Sequence, residues 1–363
     1  EYRTSKIIYD YLKKLNIDVI NISITGVVGI LHGEAGEGKT ILIRAGMDAS
    51  PVEEKTGYIY SSKIDGVMHA SGHDGQMAML MVTAKILSRH RKEIRGNIKF
   101  VFQPNEEETG ALEMINNGVL EEPKVDAAMA VNLWSSIKSG NLGLSQGPIL
   151  GTTEEFELKI IGRSGHTSAP HMGRDAILGM AKVMDAVQTL ETREFDPMNP
   201  ITVMFGRVHG GNARNVISDC VEAGGTIRFL FPDEKNKKEE VLKTFERIVK
   251  GVCLSMDLDY SLEFIPSNPS LINNPELVSI MRESSVETFE TDENIEEFKS
   301  LTGEDFAEFS QKIPSVMVFL GISNPDAKSG FPAHHSCFNI DEEVLKYGVE
   351  LEIRTAMKYL GKD

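Results

Sequence analysis

Cysteine is scarce: Cys220, Cys253 and Cys337 are the only three in 363 residues, far apart and odd in number. That excludes a disulfide framework and a zinc site built from Cys pairs, and it suits a reducing compartment, so the cytoplasm is the expected location. No apolar run approaches the roughly 20 residues that a helix needs to cross a bilayer, and no secretory signal opens the sequence, whose first residues, Glu1 to Thr4, read as the entrance to a helix. Positive charge is also short, with 38 Lys and Arg against 54 Asp and Glu for a formal charge of −16. Such a chain repels phosphate backbones and anionic lipid, so neither nucleic acid nor membrane is expected as a partner. The one dense basic run, Arg89-His90-Arg91-Lys92, falls at the end of a predicted helix, where cations complement the helix dipole.

Apolar residues at 41% and charged residues at 25% belong to an ordinary globular protein, and the length favours two domains over one. Ile7, Ile8, Tyr11, Leu12 and Leu15 have helical spacing, and β-rich runs follow at 18–31 and 40–46. Helix 74–90, strand 97–103, helix 108–118 and strand 126–133 then alternate as in a largely parallel α/β sheet. After Gly147-Pro148 the order changes to strand 156–161, helix 175–191, strands 201–208 and 219–231, helix 235–254 and strand 258–265. This is the β-α-β-β-α-β order of a ferredoxin-like α+β unit. Helices 275–290, 304–311 and 342–359 and a strand at 315–320 complete the first domain, so residues 151–266 read as a smaller domain inserted between 1–150 and 267–363.

Residues Gly33-Glu-Ala-Gly-Glu-Gly38-Lys39-Thr40 match the phosphate-loop pattern, but Ile41-Leu-Ile-Arg-Ala continues as a strand. Without a helix N-terminus behind it, and with two carboxylates inside it, the loop is not expected to hold a nucleotide. The chemistry-bearing residues lie elsewhere, at strand ends and in loops, where open α/β sheets present their ligands. They are Met47-Asp48-Ala-Ser-Pro51, His69-Ala-Ser71-Gly-His73-Asp74, Gln103-Pro-Asn-Glu106-Glu107-Glu108 and His334-His335. Imidazoles and carboxylates so placed can hold a divalent cation while a free carboxylate acts as base toward water.

These motifs, with Gly165-His166-Thr-Ser-Ala-Pro170-His171, Gly210-Gly-Asn-Ala-Arg-Asn215, Gly225-Thr-Ile-Arg228 and Gly303-Glu-Asp-Phe306, resemble in order those of the M20 metallopeptidases. The branch resembled contains hippurate hydrolases, N-acyl-amino-acid hydrolases and auxin-conjugate hydrolases. The resemblance implies a catalytic domain of metallo-aminopeptidase type, an inserted dimerisation or lid domain, a homodimer, and two zinc or manganese ions. Carried over by position, it places the metal ligands at Ser71, His73, Glu107, Asn132 and His334, where the family has Cys and His in place of Ser71 and Asn132. It also has Asp and His where this chain has Gly46 and Gln76. A hydroxyl and an amide are weak ligands, so one ion or none is expected. Glu106 matches the general base and Asp48 the carboxylate that orients His73, while His166, Asn215, Arg228 and His171 match substrate-contacting residues. The implied activity is metal-dependent hydrolysis of an N-acyl amino acid or small peptide-like conjugate. The alternative is a silent relative that binds a carboxylate ligand or a partner protein.

Overall fold

The computed structural model describes residues 1–106 and 110–361, and these divide into two compact units. The first comprises Glu1–Ile149, Leu271–Lys299 and the chain from Glu304 onward; the second comprises Leu150–Ser270 and Ser300–Gly303.

In the first unit eight strands form one sheet in the order Asp18–Ile22, Gly26–His32, Asn97–Gln103, Thr40–Gly46, Ala127–Lys138, Ser315–Ser323, Leu142–Gly143 and Ile295–Glu296. Thr40–Gly46 runs parallel to both of its neighbours, and Ser315–Ser323 runs parallel to Ala127–Lys138. Antiparallel pairing is confined to the flanks, as where Asp18–Ile22 meets Gly26–His32. Every residue of Thr40–Gly46 is buried, which explains why that run is apolar without alternation. The helices Tyr2–Lys14, His73–Leu87, Pro275–Phe289 and Leu345–Leu360 supply buried side chains to the unit's core.

The strands match their sequence readings closely, with Asn97–Gln103 coinciding residue for residue. The phosphate-loop lookalike joins two strands, Gly26–His32 and Thr40–Gly46, that are both hydrogen-bonded to Asn97–Gln103 and not to each other. Expected helix 304–311 is a correction, because only Ala307–Ser310 is helical. Glu304 and Asp305 stay outside it with their carboxylates turned inward, and Glu304 accepts the Phe306 amide at 3.0 Å. Helix 175–191 likewise ends earlier, at Ala186.

The second unit is a four-stranded antiparallel sheet ordered Ile201–Gly210, Cys220–Phe229, Thr152–Ile161, Asp259–Pro266, with the helices Ala176–Ala186 and Glu234–Ser255. Burial alternates along Thr152–Ile161, so one face of that strand meets the core and the other meets solvent. Phe156, Leu158, Ile160, Met180, Val183, Phe245 and Val249 form the core between the sheet and its helices.

Candidate active site

In the first unit the site forms at the ends of the parallel strands Thr40–Gly46 and Asn97–Gln103 and at the start of the helix His73–Leu87. Gly72, with φ 78°, makes the turn into that helix in a conformation that favours glycine, and His73 is the first helical residue. The His73 ring is buried and lies against Gly46, where a Cβ would stand 2.9–3.1 Å from its atoms. A side chain of any size at position 46 would displace the imidazole.

His73 is held from both sides. Its Nδ1 lies 3.0 Å from the Asp48 carbonyl and 3.2 Å from Asp48 Oδ1, while Nε2 faces Glu106 Oε2 at 3.5 Å. Burial opposes protonation of the ring, but the hydrogen bonds and charge of Asp48 outweigh it and leave the His73 pKa raised. Glu106 is pushed well above the usual carboxylate range by burial and then by the charges of Glu304 and Asp305, against the pull of Arg44. The structure thus brings Asp48, His73 and Glu106 together, with ligand atoms within 4.8 Å of one another.

The local charge is balanced by Arg44, whose role the motifs left unassigned. Its Nη2 donates to Asp305 Oδ1 at 2.8 Å and lies 3.1 Å from Glu304 Oε1 and 3.9 Å from Glu106 Oε1. Its Nε donates to Gln103 Oε1 at 2.9 Å, and Gln103 Nε2 in turn donates to Asp305 Oδ2 at 2.5 Å. Burial raises Asp305 to about 7 despite these partners. A usable signal was in the sequence: one Arg inside a seven-residue buried strand requires a buried counter-charge.

His334, at φ 65°, donates its amide to Ala70 O at 2.9 Å and places Nε2 3.0 Å from Ser71 Oγ, which lies 3.4 Å from Ser50 Oγ. Asn132 accepts from Gln76 Nε2 at 3.2 Å and donates to Glu304 Oε2 at 3.1 Å. Glu107 lies outside the described residues.

The second unit carries the other candidates. A short antiparallel ribbon pairs His166 with Val216, and Thr167 donates its amide to Asn215 O at 3.2 Å, so His166 and Asn215 are neighbours. The Ser168 amide donates to His166 Nδ1 at 3.1 Å, which in the neutral ring leaves the proton on Nε2. His171 sits exposed on the following turn, Pro170–Met172. Arg228, half-buried, spends Nη1 on Thr153 Oγ1 at 3.2 Å and Leu301 O at 3.1 Å.

A half-buried carboxylate beside a buried imidazole at the carboxyl ends of parallel strands is an arrangement suited to acid–base or cation chemistry on an α/β sheet. Residues 42–358 match the profile of Peptidase family M20/M25/M40, and the chain belongs to that family. It is 36% identical over 371 residues to "Thermostable carboxypeptidase 1" of Saccharolobus solfataricus, covering 100% of this chain and 91% of that protein. It is 31% identical over 363 residues to "IAA-amino acid hydrolase ILR1-like 5" of Arabidopsis thaliana, covering 99% and 82%. Among solved structures, a Bacillus subtilis protein described as a dinuclear metal binding peptidase from the M20 family superposes with a TM-score of 0.85 at 28% identity, covering 99% of this chain and 92% of that one.

The described residues do not fit two ions. Ser71, where the resemblance expects a bridging ligand, offers only a hydroxyl, a weak ligand, and its Oγ lies 3.0 Å from His334 Nε2. Asn132 is a neutral amide bonded at both ends within the protein. Among the described residues the carboxylate and imidazole groups close enough to share a cation are Asp48, His73 and Glu106 and, sharing Glu106, Glu304 and Asp305; the last two are already paired with Arg44, so two independent sets of three ligands are not available.

Proposed function

We propose that the chain hydrolyses the amide bond of an N-acyl amino acid or small peptide-like conjugate, releasing a carboxylic acid and an amine, with Glu106 as the proton carrier. The observation that carries this reading is the Glu106 carboxylate, 12% exposed, facing His73 and raised well above the ordinary carboxylate pKa. A carboxyl group with a raised pKa takes a proton from attacking water as the carboxylate and returns it to the leaving amine as the acid. Asp48 keeps the His73 ring aimed at Glu106. His166, through its free Nε2–H, is the proposed donor to the tetrahedral oxyanion, with Asn215 beside it, and Arg228 and His171 are the proposed contacts to the substrate carboxylate.

A zinc or manganese ion belongs to this reading at a level of one or none, with Glu107 and His334 as its proposed side chains, while the other position of the resemblance keeps only His73. The names of the relatives support the substrate class, since an IAA-amino acid hydrolase acts on an acyl–amino acid conjugate. We further propose a cytoplasmic homodimer. No helix among the described residues is long and apolar enough to cross a membrane. The edge strand Ile201–Gly210 of the second unit has Met204 and Val208 exposed, a surface suited to pairing with a second copy.

The test is a screen of N-acetyl, N-benzoyl and indoleacetyl amino acids with purified protein, with and without added manganese or zinc, alongside Glu106→Gln. Turnover that this variant abolishes supports the hydrolase. The hydrogen-bonded state of Asn132 and Ser71 favours a second reading, a silent carboxylate binder; calorimetric binding of the same compounds with no turnover would establish it.

A further inference from the structure

Gln76 and Asn132 form a continuous chain of hydrogen bonds with Gly46 and Glu304. The Gly46 amide donates to Gln76 Oε1 at 3.3 Å, Gln76 Nε2 donates to Asn132 Oδ1 at 3.2 Å, and Asn132 Nδ2 donates to Glu304 Oε2 at 3.1 Å. The direction of every bond is fixed from the two ends. A backbone N–H can only donate, so Gln76 must present its oxygen to Gly46 and its NH₂ to Asn132. A carboxylate in its charged form can only accept, so Asn132 must present its NH₂ to Glu304 and its oxygen back to Gln76. Both amides are thus locked with an NH₂ group at each junction, and a cation brought to Asn132 Oδ1 would meet the positive end of the Gln76 amide.

The same chain leaves no room for a carboxylate at its start. A Cβ on Gly46 would stand 2.9 Å from His73 Cδ2, so the imidazole occupies the volume that a larger residue would need. The two ring nitrogens of His73 already face Asp48 and Glu106.

We infer that Gly46, Gln76 and Asn132 act as one hydrogen-bonded plug that removes an ion position beside His73, so that this chain carries at most one divalent ion where its Bacillus relative is dinuclear. The bonds of the plug run through Gly46, Gln76, Asn132 and Glu304 whatever stands at position 71, where the Ser71 hydroxyl meets His334 and Ser50. Replacing the hydroxyl by a thiolate alone therefore does not reopen the position. The inference concerns ion stoichiometry, so a chain that binds one ion and cleaves nothing defeats the hydrolase reading and leaves this one standing.

The experiment is metal stoichiometry of chelator-treated protein titrated with Mn²⁺ alone and Zn²⁺ alone. Calorimetry and elemental analysis give the count, and the Mn²⁺ electron paramagnetic resonance spectrum shows whether ions are coupled. Three proteins are compared: wild type, Ser71→Cys, and the triple variant Ser71→Cys/Gln76→His/Asn132→His. Expected are no more than one ion per chain and an uncoupled Mn²⁺ spectrum for the first two, against two ions and a coupled spectrum for the third. Two ions in wild type or in Ser71→Cys overturn the plug, as does a folded triple variant that binds no more than Ser71→Cys. Should the triple variant fail to fold, the first two counts still decide.

Discussion

Arg44 and Asp305 meet at 2.8 Å with side chains 0% and 1% exposed, joining the central strand Thr40–Gly46 to the turn before the helix Ala307–Ser310. Three carboxylates depend on this one guanidinium, because Glu304 and Glu106 also lie within 4.0 Å of it. Burial works against the Arg44 charge, and the surrounding acids more than restore it.

Arg44→Met is expected to destabilise the protein by about 3–5 kcal/mol near neutral pH, the cost of leaving buried charges without their partner. The loss should shrink as the medium is acidified, because the stranded carboxylates escape by taking up protons. Urea unfolding at pH 5 and pH 8 checks this, and an equal loss at both would show that charge is not the cause.

Glu352 is buried between helices, with its carboxylate bonded to Thr83, and burial pushes its pKa up to about 8. The folded state therefore holds a proton that the unfolded state releases near the ordinary value of about 4.3. The stabilisation is complete below the unfolded pKa and is lost as pH rises through about 8, with a slope of about 1.4 kcal/mol per pH unit in between. Glu352→Gln keeps an acceptor for Thr83 and should remove that slope. Thermal melts of both proteins from pH 5 to pH 9 would show the curves diverging upward in pH, with the variant the more stable at the alkaline end.

Gly46→Ala is expected to cost about 1–3 kcal/mol through overpacking and to turn the His73 ring away from Glu106. The imidazole resonances of His73 report the second effect directly. A variant with unchanged stability and unchanged resonances would mean that the ring does not occupy the space above Gly46.

Glu106→Gln should lower kcat on an N-acyl amino acid by about 10²–10⁴ while leaving KM nearly unchanged, as befits a proton carrier. A change confined to KM would assign Glu106 to binding.

The sheet was legible because the buried parallel strands are short apolar runs bounded by polar loops, and Asn97–Gln103 has no competing period. The helix expected at 304–311 was overread, since Glu304 and Asp305 suit a helix by propensity while their carboxylates are drawn to Arg44 across the sequence. At the site, Asp48, His73 and Glu106 could be found from motif order. The bond from Gln76 to Asn132 could not, because a pairing across 56 residues between two neutral amides leaves no periodicity or charge pattern to follow.

The Arg44–Asp305 pair also spans 261 residues of chain. At roughly 5–20 residues per second, a ribosome delivers Arg44 on the order of ten seconds or more before its acid. Throughout that interval the strand carrying Arg44 lacks its two nearest counter-ions, Glu304 and Asp305, and has only the more distant Glu106, so its burial is opposed until the later stretch of the chain arrives. The same pair that anchors the site therefore delays its assembly, and the centre of the sheet is among the last parts of the first unit that can close.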